Sequence, residues 1–263
     1  MLPCSHMHSR YFLSSLLASS LLLGAGCQVR TSAPEAVIPT GEQPRQAQLP
    51  TTATNCDHPY YPLRLGTKSS YTSQAAGRSS RFSWEVRSSN DDKVRLHYAF
   101  ERGLEMDSEL SCGEDGLRAK TYLDLSSVMS GGNVKAKTIS SSGHFLPREL
   151  AIGTRWESAY EVEIENTSPQ AAQLGMSANQ MNLHTKNTVI AEEQVTVAAG
   201  TFTALKVESK NTMKMKLSPT LPEITSSFTT FNYFVRGKGL VKSTTTDERL
   251  GTSSIEATEI YTP

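Results

Sequence analysis

The sequence predicts an all-β protein, mostly antiparallel, built as an open barrel or sandwich of about ten to twelve strands. Three observations predict it. From Phe82 onward, apolar and polar residues alternate with a period of two, almost without interruption. Glycine-bearing turns punctuate the alternating runs, among them Gly113-Glu114-Asp115-Gly116, Gly131-Gly132-Asn133 and Arg236-Gly237-Lys238-Gly239. The cleanest run sets Trp156, Tyr160, Val162 and Ile164 against Glu157, Glu161, Glu163 and Glu165. Such a strand has one dry and one wet face, the mark of antiparallel pairing.

Three stretches precede or frame this pattern. Residues 1–26 read as a lipoprotein signal peptide. Arg10 supplies a basic start, Tyr11 to Leu23 carries no charge, and Gly24-Ala25-Gly26 are small. The apolar run is too short to span a bilayer as a helix. Cys27 directly after it resembles the cysteine of a bacterial lipobox, so it is the expected lipidation site and the membrane anchor. Gly24 departs from that pattern, which usually has leucine there. The alternative is an ordinary cleaved signal with a cysteine close by. Residues 27–55, rich in Pro, Thr, Ala and Gln, cannot bury enough surface to offset their ordering entropy and read as a flexible tether. Residues 56–263 remain as a single antiparallel β domain.

Within that domain the elements follow in order. Phe82, Trp84 and Val86 alternate, Ser88 to Asp92 turn the chain, and Val94, Leu96, Tyr98 and Phe100 return, a hairpin. Leu104, Met106, Leu110 and Cys112 share the next inward parity. Leu117 to Leu123 and Val134 to Ile139 are shorter strands, and the Trp156–Ile164 strand follows. Residues 166–186 read either as a short helix beginning at Ser168-Pro169 or, given Gly175 and several Asn, as a loop. Strands resume at Thr188–Val197, Phe202–Ser209, Met213–Leu217, Ser226–Val235, Leu240–Thr246 and Ser254–Tyr261. There is an internal echo as well. Tyr61-Pro62-Leu63-Arg64-Leu65-Gly66-Thr67-Lys68 resembles Pro147 to Trp156, and each leads into an alternating strand, which hints at two similar halves.

Four segments carry a family resemblance: YPLRLGT at Tyr61, CGEDGL at Cys112, VTVAAGTFTALKVE at Val195 and YFVRGKGLVKS at Tyr233. Together they are similar to the TapB-like group of bacterial exported and lipoprotein domains. The likeness runs over roughly residues 60–245, and Ser70 departs from it where an aromatic is usual. The resemblance implies no activity and no catalytic residues. The same motifs have a structural account, in which Gly200, Gly237 and Gly239 serve turns while Phe202, Tyr233 and Leu240 enter the core.

Chemistry is sparse. Without residues 1–26 the chain has 25 basic and 26 acidic residues, no surplus of the kind a nucleic-acid binder shows. His58, His97, His144 and His184 lie at no metal-ligand spacing, so neither metal nor cofactor is expected. His97 sits on the polar parity of its strand. There is no G-x-S-x-G elbow and no phosphate-binding loop. No catalytic residue is assigned, and the protein is not expected to be an enzyme. Cys56 and Cys112 remain after Cys4 leaves with the leader and Cys27 is acylated; in an oxidising compartment they read as a disulfide, with two separate thiols the alternative. Residues 149–193 hold seven acids and two bases, and residues 200–245 seven bases and two acids. That asymmetry reads as cross-strand pairing on a wet face. A sharper alternative is a basic patch, with Lys206, Lys214, Lys216 and Lys238 touching an anionic surface, joined by Lys210 and Lys242.

These features point to the bacterial cell envelope and to a lipid-anchored, non-catalytic binding or scaffold module. An apolar ligand or an envelope protein partner would sit on a concave sheet face. A structural envelope lipoprotein without ligand is the alternative, and a secreted hydrolase the more distant one.

Overall fold

The computed structural model describes residues 55–121, 134–166, 169, 178–216, 222–247 and 251–263. The leader, Cys27 and nearly all of the tether lie outside them. So do the Gly131-Gly132-Asn133 turn and most of the Ser168–Gly175 segment.

Strands form where the alternation of side chains lets one face go dry. Thirteen occur among the described residues: β1 (Lys68–Ala75), β2 (Arg78–Ser89), β3 (Lys93–Phe100), β4 (Glu105–Gly113), β5 (Gly116–Ala119), β6 (Val134–Gly143), β7 (Leu146–Pro147), β8 (Arg155–Asn166), β9 (Ala178–Val197), β10 (Gly200–Lys216), β11 (Ile224–Val235), β12 (Gly239–Asp247) and β13 (Gly251–Tyr261). They make one open sheet, all pairs antiparallel, in the order β6-β8-β9-β10-β11-β12-β13-β1-β2-β3-β4-β5-β7. The all-β antiparallel class is therefore what the chain adopts, as an open sheet rather than a sandwich. The first and last strands, β1 and β13, lie side by side in its interior.

The two edge strands are consecutive in the chain. Only His144 and Phe145 separate Gly143 at the end of β6 from Leu146 at the start of β7. His144 N donates to Glu157 O on the β8 side (3.2 Å), and Phe145 N donates to Leu117 O on the β5 side (2.8 Å). The sheet thus curls until its edges meet at this end. Leu117 and Leu146, both fully buried, pack the junction.

Two expectations are corrected. Residues Ala178–Lys186 are neither helix nor loop but the first half of β9, paired on both sides with β8 and β10. Met181 and Leu183 face inward there, and Met181 packs with Val162 and Ile164 in a second small core. The Phe202–Ser209 run and the next one, from Met213 to Lys216, form one strand, β10; Leu217 lies outside the described residues.

The echo between residues 61–68 and 147–156 has a matching geometry. In the first turn Gly66 N donates to Val86 O, Thr67 N to Arg64 O, and Val86 N to Thr67 O. In the second, Gly153 N donates to Val189 O, Thr154 N to Ala151 O, and Val189 N to Thr154 O. Gly66 and Gly153 share a left-handed backbone, φ +84° and +92°, that a side chain would strain. The strands that follow carry the same irregularity: the β2–β3 register skips Arg87 after Val86, and the β9–β10 register skips Ile190 after Val189. Hence β1–β4 and β8–β11 repeat one pattern and follow each other around the sheet in the same sense.

Before β1 the chain is clasped to the edge of the sheet. Cys56 and Cys112 are joined, with their Cα atoms 5.0 Å apart. Asn55, read as tether, is already part of this clasp, its carbonyl accepting from Arg148 Nη1 (3.1 Å). His58, 1% exposed, donates from Nε2 to Pro147 O (2.8 Å) and accepts at Nδ1 from Tyr60 N (3.1 Å). Both ring nitrogens are thus used by a neutral imidazole. Burial lowers its pKa from the ordinary 6.5, opposed by the Pro147 hydrogen bond and aided by Arg148. A base whose pKa is lower folded than unfolded takes up protons preferentially in the unfolded chain. Its share of stability is therefore intact above pH 6.5 and lost as pH falls below it. Thermal melts are expected to drop from pH 7.5 to pH 5, and His58→Gln, which cannot titrate, is expected to flatten that drop. Equal slopes for the two proteins would refute the assignment.

Candidate functional site

The inward faces of the curled sheet do not close on one another. They leave a cavity of about 400 Å³, partly open to solvent, within the size range of small-molecule sites. Its lining comes from both repeats, and their contributions differ in kind.

The first repeat supplies aromatic rings. Tyr71, Phe82, Trp84 and Tyr98 line the cavity, and Tyr61 joins them from the clasp. Tyr61 stacks on Trp84 (centroids 5.7 Å) and meets Phe145 edge-on (5.2 Å), while Tyr71 stacks on Phe82 (5.1 Å). Tyr71 donates its hydroxyl to Leu240 O (2.9 Å), and burial pushes its pKa up to about 12. Burial also raises Tyr61 and Tyr98, so all three phenols stay neutral.

The second repeat supplies hydroxyls and amides beside the rings of Trp156, Tyr160, Phe228 and Phe234. Ser158, Thr185, Asn187, Ser209 and Asn211 line the cavity beside Thr230 and Asn232. All but Ser158 are joined in one hydrogen-bonded series. Ser209 Oγ donates to Asn187 Oδ1 (2.7 Å), Thr185 Oγ1 to Asn211 Oδ1 (2.8 Å), and Asn232 Nδ2 to Ser209 Oγ (3.2 Å). Asn211 Nδ2 donates to Ser209 O (3.0 Å), and Thr230 Oγ1 bonds Thr245 Oγ1 (3.0 Å). This ladder fixes the side chains that face the cavity.

The contrast falls on matched positions. With the Gly66 and Gly153 turns superposed, the registers place Tyr71 with Ser158, Phe82 with Thr185, Trp84 with Asn187 and Tyr98 with Ser209. Other matches run the opposite way: Ser69 matches Trp156, Ser73 matches Tyr160 and Ser80 matches Leu183. Trp156 lines the cavity at 9% exposure, and its indole Nε1 is buried with no hydrogen-bond partner among the described residues. Leaving such a donor unpaired costs about 1–3 kcal/mol.

The residues singled out in the sequence lie elsewhere. Cys27 is outside the described residues. Lys206, Lys214 and Lys216 alternate with the cavity-lining residues of β10, so they stand on the opposite face of the sheet. Lys206 pairs with Glu193 (3.2 Å) and lies over the Phe231 and Tyr233 rings; Tyr233, expected in the core, is half-buried and packs against it. Lys214 pairs with Glu223 (3.5 Å), Lys210 with Glu208 (3.3 Å) and Lys242 with Glu256 (2.8 Å). Lys216 is ten residues from Lys206, roughly 33 Å along an extended strand. Lys238 occupies the β11–β12 turn. Four of these six lysines, Lys206, Lys210, Lys214 and Lys242, thus have acidic partners, and of those partners only Glu193 belongs to the acidic segment 149–193. His97 bonds Asp107 (2.9 Å) and lies 3.7 Å from Glu105, again on the outer face. His184 pairs with Glu157 (2.9 Å), and His144 lies 3.1 Å from Asp115. Among the described residues no group of three His, Cys, Asp or Glu is placed to hold a metal.

The polar wall was missed by sequence reasoning, because polar residues in a strand were assigned to the wet face. A signal existed: Asn187, Ser209 and Asn211 share parity with Val189, Leu205 and Val207.

Fold and site together define an open antiparallel β-sheet curled around an aromatic and amide-lined cavity. The chain belongs to the DUF3108-like family, which matches residues 104–254, more than half of its length. Among solved structures it is similar to an exported protein, provisionally so named, of YmcC-like fold from Bacteroides fragilis NCTC 9343. That pair shares 12% identity over 77% of this chain and 99% of the other, with a TM-score of 0.51, a likeness of fold alone. A provisionally named lipoprotein from Parabacteroides distasonis ATCC 8503 gives 17% identity over 77% and 98% of the two chains, TM-score 0.49. The hypothetical lipoprotein YmcC of Escherichia coli K12 gives 10% identity over 76% and 87%, TM-score 0.37. No curated protein matches the chain.

Proposed function

We propose that this protein is an envelope lipoprotein, anchored through Cys27 and held off the membrane by residues 27–55, whose β domain is a non-catalytic module that binds an apolar ligand. The cavity carries this reading, because a sheet that served only as a spacer would fill its interior. The names of the similar structures, lipoprotein and exported protein, support the location, as do the leader and the lipobox-like Cys27. The TapB-like resemblance of the Val195 and Tyr233 segments agrees with the same setting. The lining is built from aromatic, aliphatic, hydroxyl and amide side chains, and among the described residues it contains no carboxylate, imidazole, ammonium or thiol.

The test is binding of the neutral apolar dye N-phenyl-1-naphthylamine to the purified full-length protein. Saturable fluorescence enhancement is expected. Ser158→Tyr, which copies into the second repeat the residue at the matching place in the first, fills the cavity and is expected to weaken binding at least roughly tenfold, the loss of one good contact or more. A wild-type protein that does not bind the dye would return the chain to the structural reading, a lipoprotein without ligand.

A further inference from the structure

Resting on that reading, we infer that the ligand is a neutral amphiphile, its apolar part against the aromatic wall of the first repeat and an uncharged, oxygen-bearing part on the amide and hydroxyl wall of the second. Matched backbone positions have the same geometric freedom, so the sheet itself does not explain why one repeat carries Tyr71, Phe82, Trp84 and Tyr98 where the other carries Ser158, Thr185, Asn187 and Ser209. Strand interiors ordinarily take Val, Ile or aromatic residues, and buried amides are retained where something bonds them. Most of this wall is bonded internally, but one buried donor is not. Trp156 Nε1 has no partner among the described residues, and beside it Asn187, held at Oδ1 by Ser209, brings its amide N–H group to the same part of the lining. Trp156 and Asn187 are direct cross-strand partners on the inward face, and both line the cavity. Two adjacent N–H donors suit one oxygen acceptor, such as a hydroxyl, ether or ester carbonyl of the ligand.

The charge of that acceptor follows from the lining. Among the described residues no Lys, Arg or His faces the cavity to offset a phosphate or carboxylate, and no Asp or Glu faces it to offset an ammonium. Moving an ionic head into such a site would strip its water without supplying a counter-charge. A neutral polyol or ester head loses less and regains hydrogen bonds. The chemistry that fits is therefore an acyl or alkyl chain joined to a hydroxylated, uncharged head, as in a glycolipid or an acylglycerol.

The experiment is displacement of N-phenyl-1-naphthylamine from the full-length protein by three probes with the same chain length: 1-octanoylglycerol, octanoate and octyltrimethylammonium. The acylglycerol is expected to displace the dye at a concentration roughly tenfold or more below either ion, the worth of a pair of satisfied hydrogen bonds. Trp156→Phe, which keeps a ring and removes the donor, and Asn187→Leu are each expected to weaken acylglycerol binding by about fivefold to tenfold, with displacement referred to each variant's own dye affinity. A retained cooperative thermal melt certifies that each variant is folded, and Asn187→Ser serves as a second, smaller change at the same place. If the ions displace as well as the acylglycerol, or if neither variant moves it, the polar-wall assignment is wrong while the binding reading stands. If the dye itself does not bind, both fall.

Discussion

Reduction of the Cys56–Cys112 bond is expected to lower the unfolding free energy by roughly 4 kcal/mol, the chain-entropy value for a closed loop of this length. The two residues are 56 apart in sequence, and the loop between them contains β1, β2, β3 and most of β4. Cross-linking removes much of the disorder that this segment would otherwise gain on unfolding. It also holds the His58 clasp, two residues beyond Cys56, against the β5–β7 edge. Urea unfolding of the wild type and of the Cys56→Ser/Cys112→Ser double variant measures the difference. The mass of the intact protein is expected to rise by about two daltons on reduction, one hydrogen per sulfur. A double variant with an unchanged midpoint, or a mass that does not move, would sink the prediction.

The second large effect is expected at Gly143, where the sheet's edges meet. Its backbone lies at φ +76°, and an added Cβ would stand 2.1 Å from Glu157 O and 3.0 Å from Ser158 Cα. Those are backbone atoms of β8, which cannot swing aside as a side chain can. Gly153 lies at φ +92° with nothing within 4 Å of the same added atom. Alanine at Gly153 therefore meets only the left-handed penalty, about 1–2 kcal/mol. Alanine at Gly143 meets that penalty and a displaced strand as well, and is expected to destabilise by about 3 kcal/mol or more. The paired measurement is decisive, because equal losses at the two glycines would mean that the junction is slack.

Much of this fold was legible because antiparallel strands with one wet face write their orientation into the sequence. Val94, Leu96 and Tyr98 are inward on parity alone, and so are Leu110 and Cys112; the cysteine pair was legible from the oxidising compartment and from the loss of Cys4 and Cys27 to leader and lipid. The Gly66 and Gly153 turns were legible through their shared Gly-Thr. What escaped was the cavity. Parity identifies the inward face only when inward residues are apolar, and here Asn187, Ser209 and Asn211 are inward and polar. The Asn-rich start of β9 failed for a related reason, since asparagine is a turn former by its local hydrogen bonds, whereas Asn179 and Asn182 here sit in the β8–β9 ladder opposite Ile164 and Glu161. The edge-to-edge junction was illegible too, being a property of total curvature that no window of residues contains.

The adjacency of β1 and β13 has a consequence for how the molecule comes into being. Each hairpin from β2 to β5 and from β8 to β13 can pair as it is synthesised or delivered. The strand that begins the sheet has its second neighbour at residues 251–261, almost two hundred positions later. Until the carboxyl end emerges, β1 offers an unsatisfied row of amides and carbonyls, and the two repeats have no common hydrogen-bonded seam. Such long-range closure is slow, and a bare strand edge invites pairing with other chains. A nascent chain stalled a few dozen residues short of its end would therefore hold two half-built sheets, joined through the β6–β7 crossing, in need of protection from each other and from their neighbours. The centre of this sheet is the last part of it to exist.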